Sequence, residues 1–352
     1  MNKWKVGLIG LSTMALFTSQ MSFASVPMQM LIKKAQQEGK VVSVGMPDSW
    51  ANWKETWHDL KTKYGIAHQD TDMSSAQEIA KFAAERNHAT ADIGDIGFAF
   101  SRIAMQKGIL LPYKPSTWND IPDWAKNKDG YWAMGYTGTI AFIINNKLVK
   151  NPPHSWHDLL KGKYRVTIGD VGSAAQANNA VLAASFAMGG NEHNIKPALK
   201  LFATLAKEGR LSLNDPSIAN LEKGEVEVGV MWDFNALNYR DKIDRSKFTV
   251  LIPSDGSVIS GYVSIINKYA PHPWAAKLAR EYIFSDAGQI NLARGYARPI
   301  RTDVKLPADV KAKLLPNSEY KNAHPIRDLK AWKMTTRHLP QQWQSQVMIY
   351  QQ

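Results

Sequence analysis

An aromatic ring and a carboxylate lie side by side in this chain, as Trp232 and Asp233, at the end of a strand-like stretch. Before them, Val226, Val228 and Val230 alternate with other residues, which is the pattern of a β-strand. A helix-like segment follows at once. Because ligands of open α/β sheets bind beyond the carboxyl ends of the strands, the pattern predicts that both residues face a ligand cleft. The alternative is that Trp232 packs in a core and Asp233 caps the next helix.

Loops of small and hydroxyl-bearing residues predict a site for an oxyanion. Gly172, Ser173 and Ala174 stand directly before a helix-like segment. Exposed backbone N–H groups, the helix dipole and a hydroxyl could converge there on a phosphate or phosphonate. The further candidates of this kind are Ser74, Ser75, Thr137, Gly138 and Thr139. For Ser75, a capping box with Glu78 explains the residue equally well.

The organic part of a ligand needs other side chains. Asp48, Ser49 and Trp50 follow the first predicted strand, so we count them among the residues of the cleft by their position. Asp233 could accept hydrogen bonds from sugar hydroxyls or pair with an ammonium group. Trp232 or Trp50 would then form an apolar wall beside it.

Alternating strands and helices must bring these loops together, and the first part of the chain predicts them. The strand-like run VVSVGM is followed by the amphipathic segment WANWKETWHDLKTKYG. The helix-like segment DMSSAQEIAKFAAERN and the strand-like segment ADIGDIGFAF come next. This β-α-β-α order predicts an α/β fold with a mostly parallel sheet flanked by helices.

Two segments have the pattern of crossings between lobes. The first, GYWAMGYTGTIAFIINNKLV, holds two extended apolar parts without a helix between them. The second, FTVLIPSDGSVISGYVSIINKYA, is rich in β-branched residues. The region between the two returns to the order helix, strand, loop, helix. The sequence therefore predicts a second α/β lobe, joined to the first by extended hinge strands.

The N-terminus has the pattern of an export signal. Lys3 and Lys5 precede the apolar run VGLIGLSTMALFTS, and the small residues Ser22 and Ala24 frame a cleavage site after Ala24. The run is too short for a comfortable transmembrane helix. We therefore predict a signal peptide over residues 1–24 and a mature chain in the periplasm. Its removal deletes two lysines and no acids, which lowers the formal net charge from +12 to +10.

The composition excludes several classes of protein. The chain has no cysteine, which excludes disulfide scaffolds, thiolate metal sites and cysteine nucleophiles. Its Lys and Arg residues are scattered, so we predict no nucleic-acid partner. The common hydrolase, zinc-protease and phosphate-loop motifs are missing, and we predict neither an enzyme nor a cofactor. His154 and His157 lie beside two prolines, as in a surface loop, so we predict no metal site.

Several stretches resemble the periplasmic solute-binding proteins of ABC importers, in the branch that includes ferric-iron, thiamine, polyamine, phosphonate and sugar-phosphate receptors. They are GTIAFIINNKLV with PPHSWHDLLKGKYR, the strand GEVEVGV, and YIFSDAGQINLARGYARPIRTDV. The resemblance covers nearly the whole mature chain. It implies the two-lobed type II fold, a small-molecule ligand held between the lobes, and an ABC permease with its ATPase as partners. The implied lobe 1 spans 25–138 plus about 256–300, and lobe 2 spans 139–255 plus about 301–352. We expect a monomer.

The ligand class stays open at this point. The oxyanion loops favour a phosphonate or a phosphorylated organic anion, such as aminoethylphosphonate or a sugar phosphate. A polyamine or another organic cation is the alternative, and its groove would be built from Asp48, Asp95, Asp233, Trp50 and Trp232. A ferric receptor is disfavoured because the adjacent tyrosines of such receptors are missing and Tyr239 stands alone. Outside transport, the alternatives are a periplasmic partner of a sensor and an enzyme.

Overall fold

The structure is a computed structural model that describes Met1 and residues 27–351. The predicted signal peptide and its cleavage after Ala24 lie, apart from Met1, outside the described residues. Among the helices of the described part, none is long and apolar enough to cross a membrane.

The described residues form an α/β fold of helices and strands in alternation. The helices are α1 Met28–Glu38, α2 Trp53–Tyr64, α3 Ser75–Ala84, α4 Ser101–Gln106, α5 Trp156–Lys161, α6 Ala175–Ala187, α7 Lys196–Lys207, α8 Ile218–Glu222, α9 Asp233–Ile243, α10 Pro273–Phe284, α11 Asp286–Arg294, α12 Ala308–Lys311 and α13 Leu329–Gln346. The strands are β1 Lys40–Val44, β2 Ala67–Thr71, β3 Ile93–Gly97, β4 Trp132–Asn145, β5 Val166–Thr167, β6 Leu211–Ser212, β7 Val228–Trp232, β8 Phe248–Leu251, β9 Ser257–Ile266, β10 Arg298–Pro299 and β11 Ala323–Pro325.

Two sheets share one long strand. In the first sheet β2, β1 and β3 are parallel, and β9 lies antiparallel between β3 and β4. In the second sheet β6, β5 and β7 are parallel, and β7 and β8 flank β4 in antiparallel orientation. Strand β4 pairs with β9 up to Thr139 and with β7 from Ile140 onward. The predicted two-lobed α/β fold with crossover strands is therefore confirmed, whereas the residue limits of the lobes stay a prediction.

The start of α3 differs from the predicted capping box by one residue. The box is formed by Ser74 and Gln77, and the Gln77 side chain accepts the Ser74 backbone N–H at 2.9 Å. Ser75 is instead the first residue of the helix, where its hydroxyl accepts the Gly97 N–H at 2.9 Å. Glu78 takes no part in the cap and is buried at the carboxyl end of the first sheet. Because Ser74 and Ser75 are adjacent, the sequence allows a box of Ser74 with Gln77 or of Ser75 with Glu78. The burial of Glu78 in the structure agrees with the first of these.

An aromatic cluster fills the space where the two sheets meet. Trp50 lies edge-on to Phe234 and Tyr262, with ring centroids 5.5 and 5.4 Å apart. Tyr136 stacks on Tyr262 at 5.7 Å, and Trp232 donates its indole N–H to the Tyr262 hydroxyl at 3.1 Å. Large rings packed in edge-to-face and stacked pairs hold this crossover region together, because they bury much apolar area with defined geometry.

Candidate functional site

A cavity of about 410 Å³ lies where the carboxyl ends of the parallel strands of both sheets converge. Its lining comes from the segments that follow β1, β2, β5 and β6, from β3, β7 and β9 themselves, from the first turns of α3 and α6, and from α9. This is the position at which α/β sheets bind ligands, since loops and helix N-termini meet there. The cavity is therefore the candidate ligand site.

The thirteen residues predicted for the site divide into two groups. Six of them line the cavity: Ser49, Trp50, Ser74, Ser75, Ser173 and Ala174. The other seven lie outside the lining, and they are Asp48, Thr137, Gly138, Thr139, Gly172, Trp232 and Asp233.

Trp232 and Asp233 are interior residues, unlike the expectation from the sequence. Each is 1% exposed. The Asp233 carboxylate accepts the Thr139 and Phe234 backbone N–H groups at 2.9 Å each and the Tyr320 hydroxyl at 2.6 Å. Burial raises the pKa of Asp233, and these hydrogen bonds partly oppose that rise. Asp233 thus ties the first turn of α9 to the crossover strand and does not line the cavity.

Four other predicted residues also lie outside the cavity lining. Thr137, Gly138 and Thr139 belong to β4, and a Cβ built on Gly138 would meet the Phe234 ring at 2.5 Å, so aromatic packing occupies this hinge. Asp48 is exposed, although its neighbour Ser49 lines the cavity.

In the loop predicted to bind an anion, residues 172–174, the N–H and hydroxyl donors bind a carboxylate of the protein itself. The Gly172 N–H donates to Oδ1 of Asp170 at 2.7 Å, and the Ser173 hydroxyl donates to Oδ2 of the same residue. These two groups therefore stabilise the turn before α6 and do not point at a ligand. Ala174, at the N-cap of α6, has no side chain that could cap the helix. The first N–H groups of α6 thus begin at the cavity wall without a side-chain cap.

Five carboxylates line the cavity, and they come from Asp72, Glu78, Asp95, Asp170 and Asp215. No Lys or Arg side chain belongs to the described lining. Those of the five groups that are ionised favour a ligand with at least one positive charge, because they would repel an anion.

Glu78 and Asp95 form a buried pair at the floor of the cavity. They are 1% and 2% exposed, and Oε2 of Glu78 accepts the Asp95 backbone N–H at 3.0 Å. Oδ2 of Asp95 accepts the Tyr136 hydroxyl at 2.6 Å, and that hydroxyl receives the Trp50 indole N–H at 2.8 Å. Burial raises the pKa of Asp95 to about 8. Burial and the charge of Asp95 raise the pKa of Glu78 well above its ordinary value.

Carboxylates from both sheets also influence each other across the cavity. Desolvation within the cleft raises the pKa of Asp215, and the charges of Asp72 and Asp170 raise it further. Burial raises the pKa of the Tyr239 hydroxyl, with smaller contributions from Asp72 and Asp215. Asp72 follows β2 of the first sheet, whereas Asp215 follows β6 of the second sheet. The two carboxylates therefore repel each other across the cleft. A bound cation would relieve this repulsion.

Sequence reasoning missed several lining residues, of which Asn235 is the most informative. Asn235 is fully buried, and neither its Nδ2 nor its Oδ1 has a hydrogen-bond partner within the described part of the chain. It lines the cavity from the first turn of α9, beside Tyr239 on the same helix. Buried polar atoms usually have a partner, so both polar atoms of this amide are available to a group that enters the cavity. Among the described residues, no group of three or more His, Cys, Asp or Glu could hold a metal ion.

Comparison with known proteins identifies the family. Residues 90–325 match the model of a family described as bacterial extracellular solute-binding proteins. The chain belongs to this family.

Individual proteins of known name or structure agree with that family. A protein of Salmonella typhimurium strain LT2, provisionally named a 2-aminoethylphosphonate-binding periplasmic protein, is 27% identical over 289 residues, which cover 75% of this chain and 79% of that protein. The periplasmic binding protein AfuA of Actinobacillus pleuropneumoniae, solved with fructose-6-phosphate, superposes with a TM-score of 0.68 at 19% identity, over 88% of this chain and 98% of AfuA. The periplasmic binding protein P5PA superposes with a TM-score of 0.71 at 16% identity, over 88% and 99%. These two structures share the fold.

Proposed function

We propose that this chain is the periplasmic solute-binding component of an ABC importer and that its solute is a small phosphonate or phosphate carrying an amino group. One observation carries the proposal. The cavity between the lobes combines two helix N-termini with five carboxylates and holds no Lys or Arg side chain in its described lining. A ligand that is cationic at one end and anionic at the other matches both features.

The anionic end fits the first turns of α3 and α6. Both helices begin at the cavity, and the partial positive charge of a helix N-terminus, with its N–H groups, binds phosphate-like groups. Gln176 adds a polar side chain there, and its Oε1 already accepts the Trp232 N–H at 3.0 Å, so its amide N–H₂ is the end available for a ligand. Trp50 and Tyr262 supply an apolar wall from the other side.

The cationic end fits the carboxylates. Among the ligands considered from the sequence, a sugar phosphate lacks any positive charge to balance them, whereas 2-aminoethylphosphonate carries an ammonium group. The Salmonella relative named for that compound gives independent support at 27% identity. A polyamine is the second candidate, because five carboxylates without a lysine or arginine also suit a ligand with several ammonium groups.

This architecture supports a mechanism of capture and delivery. Ligand contacts on both lobes are complete only in the closed arrangement, so a ligand shifts the population toward that state. The closed form would then dock on the permease and its ATPase. The predicted leader and the periplasmic relatives support export. We keep the expectations of a monomer and of binding without chemical turnover.

A thermal-shift and calorimetry panel tests the ligand class directly. The probes are 2-aminoethylphosphonate, fructose-6-phosphate, sulfate and 1,4-diaminobutane, each applied to the mature chain at low ionic strength. We expect a rise in melting temperature with 2-aminoethylphosphonate, since a ligand at 100 times its Kd stabilises by about 2.7 kcal/mol. Stabilisation by fructose-6-phosphate or sulfate alone would refute the proposal. Stabilisation by the diamine alone would replace it with the second candidate.

A further inference from the structure

We propose that Glu78 and Asp95, together with Asn235 across the cleft, form the subsite that binds the ammonium group of the ligand. This inference rests on the proposed function, because it names the part of the same cavity that recognises the positive charge. It also separates these three residues from Asp72, Asp170 and Asp215, which line the cavity as well.

The backbone leaves room for the Glu78 carboxylate between two glycines. A Cβ built on Gly45 would lie 2.3 Å from Oε1 of Glu78, and one built on Gly94 would lie 2.5 Å from Oε2. Any other residue at either position would displace the carboxylate. Within the described part of the chain, only Oε2 is engaged in a protein hydrogen bond, from the Asp95 N–H. Oε1 is therefore available to a donor in the cavity.

Asp95 is positioned by a hydrogen-bond chain that ends at the cavity wall. The Trp50 indole N–H donates to the Tyr136 hydroxyl, and that hydroxyl donates to Oδ2 of Asp95. Both donors are held by the aromatic cluster at the crossover, so the carboxylate has a fixed orientation. Two adjacent carboxylates fixed in this way match the three N–H donors of an ammonium group.

Asn235 is the independent sign that a ligand completes this subsite. It is fully buried, it lines the cavity, and both polar atoms of its amide lack a partner in the described residues. Its Oδ1 can accept an ammonium N–H from the side opposite to Glu78, since α9 belongs to the second sheet and α3 to the first. A ligand bound there would join the lobes through one charged group.

The other three carboxylates of the cavity have different surroundings. Asp170 already receives the Gly172 N–H and the Ser173 hydroxyl. Asp72 and Asp215 are exposed residues. An ion pair in a buried position is screened less by salt and water than an exposed one. The pair at the floor is thus the stronger site for a cation.

Ionisation of the pair gives the subsite a characteristic pH dependence. Burial raises the pKa of Asp95 to about 8 and raises that of Glu78 well above its ordinary value. The titratable groups that act on the pair are Asp70 and Asp72 near β2, Tyr136 on β4 and Tyr262 on β9. An ammonium group stabilises the ionised carboxylates, so its binding displaces a proton and strengthens as pH rises toward 8. A protonated acid that donates to the phosphonate would give the opposite trend.

Calorimetry with three probes tests the subsite. The probes are 2-aminoethylphosphonate, ethylphosphonate, which lacks the amine, and 1,4-diaminobutane, which lacks the phosphonate. We compare the wild type with Glu78→Gln at pH 6 and pH 8. The matched control is Glu85→Gln, which makes the same side-chain replacement at the C-terminal end of the same helix, where Glu85 pairs with Lys81.

We expect the wild type to bind 2-aminoethylphosphonate at least tenfold more tightly than ethylphosphonate, with higher affinity at pH 8 than at pH 6. Glu78→Gln should lower the affinity for the amine-bearing probe at least tenfold and weaken its pH dependence. The affinity of Glu78→Gln for ethylphosphonate should stay within twofold of the wild-type value. The affinity of Glu85→Gln should stay within twofold of the wild-type value for every probe. Comparison of variant and wild type cancels the ionisation of the phosphonate itself. Asn235→Ala should lower the affinity for the same probe, and it removes no protein hydrogen bond among the described residues, so it should fold.

Three results would overturn the inference. The first is an affinity for 2-aminoethylphosphonate that is unchanged in both Glu78→Gln and Asn235→Ala. The second is an equal affinity of the wild type for 2-aminoethylphosphonate and ethylphosphonate. The third is an affinity advantage of the wild type over Glu78→Gln that shrinks from pH 6 to pH 8. Failure of the proposed function gives a different pattern. If the wild type binds the diamine and neither phosphonate, and Glu78→Gln abolishes that binding, the ammonium subsite stands and the phosphonate assignment is lost. A wild type that binds none of the three probes overturns both.

Discussion

Replacing Asp95 by asparagine should stabilise the ligand-free protein, and the gain should grow with pH. Asp95 is 2% exposed at the cavity floor beside the buried Glu78. Burial raises its pKa from an ordinary value of 3.8 to about 8. The asparagine side chain of the variant keeps an oxygen that can accept the Tyr136 hydroxyl but cannot ionise.

The sign and the magnitude follow from the pKa of Asp95 in the folded and unfolded chain. The folded protein holds this proton more tightly, so the contribution of Asp95 to stability is complete below pH 3.8. It is lost progressively as pH rises toward 8. One pH unit in this interval corresponds to about 1.4 kcal/mol, so the loss between pH 4 and pH 7 approaches roughly 4 kcal/mol. Because Glu78 titrates together with Asp95, part of this loss persists in the variant, and we expect a difference of roughly 2–4 kcal/mol at pH 7.

Urea denaturation at pH 4, 5.5 and 7 measures this difference. The unfolding free energy of Asp95→Asn relative to the wild type should increase across the three pH values. Asp48→Asn is the control, because Asp48 is exposed and lies outside the cavity lining, and its effect should stay within about 0.5 kcal/mol. The carboxyl groups other than Glu78, whose titration is coupled to that of Asp95, are common to both proteins and cancel in the comparison. A difference that is constant with pH would refute the reasoning, because it would mean that Asp95 does not hold a proton in the folded state.

Two further substitutions separate closure from folding. A Cβ built on Gly97 would lie 2.4 Å from the Cβ of Ala175 at the start of α6, so Gly97→Val should hold the lobes apart and lower ligand affinity at least tenfold. Small-angle scattering should then show no compaction on ligand addition, and normal compaction would contradict this. Asp233→Ala leaves the Thr139 N–H and the Tyr320 hydroxyl without their acceptor, which should lower the unfolding free energy by about 2–4 kcal/mol. Calorimetry on the folded variant should give a ligand affinity within twofold of the wild type. A larger loss of affinity would mean that Asp233 contributes to ligand binding.

The order of elements could be predicted from the sequence because its signals are local. The extended segments around Thr139 indicated strands that cross between sheets, and β4 does change partners there. Ser155 before WHDLLK is a local signal for a helix N-cap, and its hydroxyl accepts the Asp158 N–H at 3.0 Å. Such signals need only a few neighbouring residues. The capping box before α3 was predicted at Ser75 and is formed by Ser74, because both serines satisfy the same local rule.

The position of Trp232 could have been predicted from a signal that was present. Val228, Val230 and Trp232 occupy alternate positions of β7, so they share one face of the strand. The valines are fully buried, and the tryptophan continues the same core face. Met231 faces the other way and lines the cavity. The strand does end at the ligand cleft, but the alternation assigns its last aromatic side chain to the interior.

The acidic character of the cavity could not be predicted from the sequence. Its five carboxylates are contributed by residues between Asp72 and Asp215, and only the tertiary fold brings them together. The whole chain carries a formal net charge of +12, so its overall balance is basic. The local charge at the site has the opposite sign. At physiological salt the Debye length is about 8 Å, so the basic surface acts on an approaching ligand mainly at low ionic strength. Inside the cleft the nearest groups decide, and under the proposed function the carboxylates at the floor bind the positive charge of the ligand while the helix N-termini bind its negative charge.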